Sequence, residues 1–295
     1  MPLSDYLLFR LAKNWPSPVA FLTERLGEEP GTEAYQAAYA QDQFDRRVRD
    51  GIGVALTNRE VLEIGCGHGG ISCFLAVGGA KRVVGIDLNT VNLEHARAFT
   101  HKIESRWGAE CRLPVEFLEM DAYNMSFPAD SFDLVVAENA FEHFADPEKV
   151  MQESHRVLRN DGALLVPIFS SIYSKYGLHL KHGLKLPWTN LFFSERSIVR
   201  AMQRLAKDNA KLFDLYPGLT DNPERVRDLR KYKDLNDITH KSFRAMAKRS
   251  GFRVNWFRPR PTRFGRLVAI SPLVRNSILM DVFSTGAAAY LVKRS

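Results

Sequence analysis

A carboxylate, Glu63, stands two residues before a run of glycines at Gly65, Gly67, Gly69 and Gly70, in the stretch VLEIGCGHGG from Val61 to Gly70. Glycines at alternate positions strip one side of a turn of its Cβ atoms. A flat ligand can then lie against bare backbone, and some of these positions can take positive φ at little steric cost. A second acid, Asp87, falls near the end of the apolar run RVVGIDL from Arg82 to Leu88, 22 positions after Gly65. An acid at the tip of the second strand of a doubly wound sheet holds the two hydroxyls of a ribose. Taken singly, each piece has a plainer reading: glycines that only make a turn, an Asp87 that caps a helix, an Asp121 that serves a turn. Strand, glycine turn, helix, strand and acid in that order describe a site for a nucleoside-bearing ligand.

The sign of one charge narrows the ligand. A dinucleotide site would read G-x-G-x-x-G and would set a pyrophosphate on the helix N-terminus. Here the spacing is G-x-G-x-G, and Glu63 would repel a pyrophosphate. The same carboxylate attracts the ammonium group of an amino acid, and S-adenosylmethionine (SAM) carries such a group and no phosphate. The charge therefore favours SAM over NAD.

Further motifs follow in order. Phe117-Leu-Glu-Met-Asp121-Ala122 comes first, then Phe127 to Asp133 leading into an apolar run at Leu134 to Ala137. Glu138-Asn139-Ala-Phe-Glu-His143 is next, and Asp146-Pro147 starts a helix with proline in its first turn. Val157 to Val166 turns into another strand. From Arg59 to Phe169 the chain resembles the class I SAM-dependent methyltransferases, in the subgroup that includes the quinone and sterol enzymes (the type 11 methyltransferase domain). The resemblance implies an α/β fold: a doubly wound, seven-stranded, mostly parallel Rossmann-like sheet with an antiparallel last strand and a cap inserted after the fifth strand. It implies a SAM site drawn from Glu63, Gly65, Cys66, Gly67, Gly69, Asp87, Leu88, Asp121, Ala122, Glu138, Asn139 and His143, with Asp121 and the small residue after it meeting the adenine amino group.

At 295 residues and 45% apolar content the chain can bury one substantial core, or a core with an inserted cap. No apolar run approaches the ~20 residues that span a bilayer. The N-terminal stretch MPLSDYLLFRLAKNWPSP has no basic region ahead of an apolar one, so a secretory leader is not expected. Cys66, Cys73 and Cys111 lack metal-ligand spacing, which fits a reducing, cytoplasmic setting without a disulfide frame or zinc site. No compact His/Asp/Glu cluster suggests magnesium, so metal-independent chemistry is expected. Charge is unevenly placed: residues 1–165 hold 16 Lys and Arg against 25 Asp and Glu, and residues 166–295 hold 25 against 9. A basic half suits a well-solvated surface, an acidic substrate, an anionic membrane surface or nucleic acid.

The elements that must position these residues divide the chain into four stretches. Residues 1–58 read as helices, Phe21 to Leu26 and Thr32 to Asp50, in a segment expected to lid the cofactor. Residues 59–169 alternate strands and helices as a SAM-binding core. Residues 170–240 break the rhythm with aromatics and a charged helical stretch from Ser194 to Phe213, and are expected to cap the substrate over the carboxyl ends of the sheet. Residues 241–295 complete the fold: the helix begun at Ile238 ends at Gly251, and Phe252 to Phe257 and Ala287 to Val292 are strands. Between those strands, Arg263 to Phe283 is expected to pack on the domain or line the acceptor pocket, with an interfacial membrane helix as the alternative.

Methyl transfer from a sulfonium is an in-line displacement, so the protein mainly orients two reactants and excludes water. A hydroxyl acceptor also benefits from a general base titrating near neutrality, the usual role of histidine. His143 just past the fourth strand, and His179 and His182 in the aromatic insert, are the candidate bases; each also reads as a packing or surface histidine. Tyr173 and Tyr176 could orient an acceptor. Methylation of exocyclic base amines needs an Asn/Asp-Pro-Pro-aromatic tetrad where this chain has Glu138-Asn139-Ala140-Phe141, and cytosine C5 methylation needs a cysteine that is absent after that strand. Nucleic acid is thereby disfavoured as a partner, with ribose methylation left open. The expectation is a methyl-transferring enzyme acting on a hydroxyl of a small-molecule or glycan- or lipid-linked acceptor, one suited to negative charge. RNA, a membrane-associated lipid or quinone, a non-catalytic SAM-binding protein and an NAD-dependent oxidoreductase are the alternatives.

Overall fold

The computed structural model describes residues 3–14, 27, 33–49, 55–107, 112–180, 183–210, 212–213, 216–220, 222–223, 228–230, 234–268, 274 and 277–294. The expected helix at Phe21 to Leu26, Cys111 and His182 lie outside them. Seven strands form one sheet in the order β3-β2-β1-β4-β5-β7-β6. They are β1 (Glu60–Ile64), β2 (Arg82–Asp87), β3 (Val115–Glu119), β4 (Phe132–Glu138), β5 (Leu158–Phe169), β6 (Phe252–Pro261) and β7 (Ser284–Lys293). The first five pair in parallel, and β7 runs antiparallel to both β5 and β6. This is the doubly wound, mostly parallel sheet that the sequence implies.

The central strands are apolar because helices cover both of their faces. Val61, Leu62, Leu134, Val135 and Val136 are fully buried. One face of the sheet packs on α5 (Pro147–Val157) and α8 (His240–Arg249) through Val150, Met151, Phe243 and Met246. The other packs on α3 (Gly70–Val77) through Ile71, Phe74 and Leu75. Helix α4 (Thr90–Trp107) follows β2, and the Asn89 side chain caps its start by accepting from the amides of Val91 and Asn92. Capping by Asn89 leaves Asp87 for another purpose.

A second core lies away from the sheet. Helix α1 (Leu3–Asn14) buries Leu8, Phe9 and Ala12 against the segment that follows β5, chiefly Leu184, Ile198 and Met202, the last two on α7 (Glu195–Asp208). Buried Asp5 receives the Arg200 guanidinium at 2.8 Å and pins α1 to α7. The helix expected to reach Phe213 ends at Asp208, with Asn209 as its C-cap. Helix α2 (Glu33–Gln43) runs into a wide π-helical turn at Phe44–Arg49 and packs on α3, where a Cβ at Gly70 would lie 2.6 Å from that of Ala40.

The last strands are longer than their sequence suggests. The strand expected over Phe252 to Phe257 continues as β6 through Pro259 and Pro261. As the edge strand it has one side with no partner, where a missing N–H costs nothing. Among the described residues between β6 and β7 are the short helices α9 (Arg263–Val268) and α10 (Ile278–Val282). Met280 and Asp281 are buried, whereas Phe264, Leu267, Ile278 and Leu279 face outward, so this connection does not simply pack on the domain as expected.

Candidate cofactor and acceptor site

Two cavities meet at the glycine turn after β1. One, of about 420 Å³, is lined by Glu63, Cys66, Gly67, His68 and Glu138, by Ala37, Tyr39, Ala40 and Gln43 of α2, and by His95, Phe99 and Lys102 of α4. The other, of about 500 Å³, is lined by Asp87, Leu88, Asp121, Ala122, Asn139 and His143. Gly65 lines both and forms the ridge between them. Each volume lies in the range of small-molecule sites. Glu138 at the end of β4 faces the first cavity and Asn139, its neighbour, the second; the Asn139 amide donates to Glu138 Oε1 at 3.1 Å.

The glycines divide by task. Gly67 has φ +50°, and a Cβ there would meet no atom within 4 Å, so a larger side chain would project into open space at the cavity wall. Its N–H donates to Asp87 Oδ2 at 2.9 Å, while Asp87 Oδ1 accepts from the Asn89 amide at 2.8 Å. Each oxygen of that carboxylate thus keeps acceptor capacity for a ligand hydroxyl. Gly69, expected at the cofactor, faces elsewhere: it lies outside both cavity walls, and a Cβ there would come within 2.7 Å of Ala96 and of the Phe117 ring. Its φ of +73° at the start of α3 and this close approach account for the glycine.

Glu63 is the most perturbed acid of the site. It is buried within β1, and burial pushes its carboxyl up to about 8, with the charges of Glu138 and Asp87 adding to the rise. The Ser72 hydroxyl donates to it and opposes the shift. Gly85, its register partner on β2, leaves space for this bond: a Cβ there would crowd Ser72 Oγ at 2.9 Å and Phe117 at 2.8 Å. Burial also raises the Cys66 thiol well above its usual range and pushes Cys73 up to about 12, so both remain thiols at neutral pH and serve as apolar wall and core. Asp121 Oδ1 accepts from the Tyr123 amide at 2.8 Å, and Leu88 offers a 64% exposed side chain at the cavity edge.

Two of the three candidate histidines come together. The His143 and His179 rings lie 5.2 Å apart, edge to face, and His179 Nε2 is 3.8 Å from Oε1 of fully buried Glu142. His179 has φ +55°, and its carbonyl accepts from the Tyr216 hydroxyl at 3.0 Å. Glu142 Oε1 also accepts from the Ser170 amide. Asn236, near the end of the insert, donates its amide to the carbonyls of Phe141 and Phe144, both at 2.7 Å, and so braces the turn that carries Glu142 and His143. Tyr176 belongs to a small void of about 10 Å³ under the insert and lines neither large cavity. Sequence reading missed Ser72, Gly85, Asn236, Glu142, the His68–His95 ring pair at 4.9 Å and the α4 wall.

The comparisons agree with this geometry. Residues 62–166 match the family model described as a methyltransferase domain, and that segment is a methyltransferase-type domain of Rossmann-like fold. Over 149 residues the chain is 28% identical to a malonyl-[acyl-carrier protein] O-methyltransferase of Paenibacillus, covering 45% of this chain and 52% of that protein. Over 110 residues it is 37% identical to a demethylmenaquinone methyltransferase of Thermus thermophilus, covering 37% and 46%. The chain thus spans about half or less of the curated relatives it matches. A solved Pyrococcus horikoshii protein superposes with a TM-score of 0.51 at 16% identity, covering 92% of this chain and 99% of that one, a likeness of fold.

The cofactor this family implies is SAM, and the residues present fit it. Buried Glu63 beside Glu138 on one wall of the first cavity suits an ammonium and a sulfonium, with Lys102 on the α4 wall. The bare wall at Gly67, the acceptor lone pairs of Asp87 and the exposed face of Leu88 suit an adenosine. Among the described residues, no Lys or Arg lines the cavity at Asp87.

Proposed function

We propose that this chain transfers a methyl group from SAM to a hydroxyl of a small-molecule or glycan- or lipid-linked acceptor. The observation that carries the reading is the pairing of buried Glu63 with a glycine turn whose Gly67 N–H is held by Asp87. Bound SAM would supply an electrophilic methyl on a sulfonium. Glu63 and Glu138 would receive the amino-acid end, Asp87 the ribose, and Asp121 with Ala122 and Leu88 the adenine. The remaining task is to orient an acceptor and exclude water, and α2 with the insert closes two sides of the cavities.

The choice of oxygen as the methylated atom is supported by the His143–His179 pair beside the second cavity. Glu142, 3.8 Å from His179 Nε2, suits a carboxylate that stabilises the protonated form of a base. The negative acceptor charge is supported by the excess of Lys and Arg after residue 165. Single-turnover assays on His143→Ala, His179→Ala and His182→Ala test the base. A drop of roughly a hundredfold in the chemical step is expected for at least one, and all three within about threefold of the parent would remove the histidine base.

A further inference from the structure

We propose that the face built by α9, α10 and the short helix α6 (Thr189–Phe192) docks the protein on an anionic lipid bilayer. Three contacts make these helices one surface. Trp188, the residue before α6, donates its indole N–H to the Val282 carbonyl of α10 at 2.7 Å. The Thr262 amide, just ahead of α9, donates to the Phe283 carbonyl at 2.8 Å. The rings of Phe264 and Phe283 meet edge to face at 5.1 Å.

This surface exposes Leu191, Phe192, Phe264, Leu267, Ile278 and Leu279, at 42% to 74% each. Single exposed apolar residues are ordinary, but six large ones on three short helices joined by these contacts mark a contact. Two exposed cations, Arg263 and Arg266, stand among them on α9. Residues 251–295 contain eight Lys and Arg and a single acid, Asp281, which is buried. Residues 162–194 contain three lysines and no acid. Apolar side chains on short helices with arginines beside them match the layering of an anionic membrane: chains into the acyl boundary, guanidinium groups at the phosphates. A second copy fits poorly, because a two-fold contact through α9 would oppose Arg263 and Arg266 to themselves, and Asp281, the one acid of residues 251–295, is buried.

The position gives the contact a use. The connection from β6 to β7 lies at the carboxyl edge of the parallel strands, since Pro261 pairs with Ser284 and Phe169 with Ala287. Asp87 and Glu138 end their strands at that same edge. The docking goes beyond the methyl-transfer reading and stands without it, as its test involves no turnover. Among the described residues no helix is long and apolar enough to cross a membrane, and a face of this kind needs none.

The full chain would be sedimented with vesicles of phosphatidylcholine alone and of phosphatidylcholine mixed with phosphatidylglycerol. Binding to the mixed vesicles should be at least about tenfold stronger and should weaken with salt. Phe264→Asp with Leu267→Asp, and separately Arg263→Glu with Arg266→Glu, should each weaken it by roughly tenfold or more with Tm retained. The exposed arginine pair keeps the test open if the apolar variant folds poorly. Absence of binding to the mixed vesicles overturns the proposal. So does loss of binding on Leu7→Asp with Leu11→Asp in α1 but not on the α9 variants, or a concentration-dependent dimer that the α9 variants dissociate.

Discussion

Glu63 shows how one side chain can join fold and ligand. Its carboxyl has an ordinary value of 4.5 and sits near 8 in the folded chain because it is buried. The folded state therefore holds the proton more tightly than the unfolded chain. The group's contribution to stability is fully present below about pH 4.5 and is lost as pH rises toward 8. Ligand-free Tm should fall between about pH 5 and 8, and Glu63→Gln should flatten that decline; parallel profiles for the two proteins would contradict the assignment. A bound ammonium favours the charged form, so binding should release a proton and strengthen with pH across the same window. The residues legible beforehand, Glu63, Gly67 and Asp87, sit in two short stretches where strand, turn and acid are neighbours in sequence. Ser72 and Gly85 were not legible: the parallel register of β1 on β2 sets Gly85 beside Glu63, and helix α3 returns Ser72 to it.

At the scale of elements, the turn after β4 depends on a residue roughly ninety positions later. Asn236 holds the carbonyls of Phe141 and Phe144, while its own amide donates to the Glu142 carbonyl at 2.8 Å. Asn236→Ala deletes three side-chain bonds, the third being the Ile238 amide to Oδ1 at 2.9 Å, and leaves two carbonyls and one N–H to find water, at a cost of about 1–3 kcal/mol in denaturant unfolding. The same variant should slow single-turnover methyl transfer, because Glu142 and His143 ride on this turn. Unchanged stability would mean that the turn holds itself. Strand boundaries were legible wherever apolar runs were bounded by glycine or acid, as in β1 and β2. β6 runs past Phe257 through two prolines, which an edge position tolerates and only the sheet order reveals.

For the whole molecule, α1 and the insert share a core separate from the sheet, and α2 walls the first cavity. The N-terminal helices thus divide between packing the insert and closing the site, a division that helical periodicity could not announce. Leu8 is fully buried in the second core. Leu8→Ala should cost about 2–5 kcal/mol, read by thermal or denaturant unfolding, and a loss under about 0.5 kcal/mol would mean α1 contributes little. The uneven charge is written in the sequence. Its concentration beside exposed apolar helices became visible only when Trp188 was found against Val282, 94 residues apart.

Isothermal titration of S-adenosylhomocysteine into the wild-type chain, Asp87→Asn and Gly67→Val bears most directly on the account. The wild type should bind, and both variants, folded by Tm, should bind at least about tenfold more weakly, since one loses charge-assisted acceptor capacity and the other fills bare backbone. Wild-type affinity in both folded variants, or no heat of binding to the wild type, would contradict it.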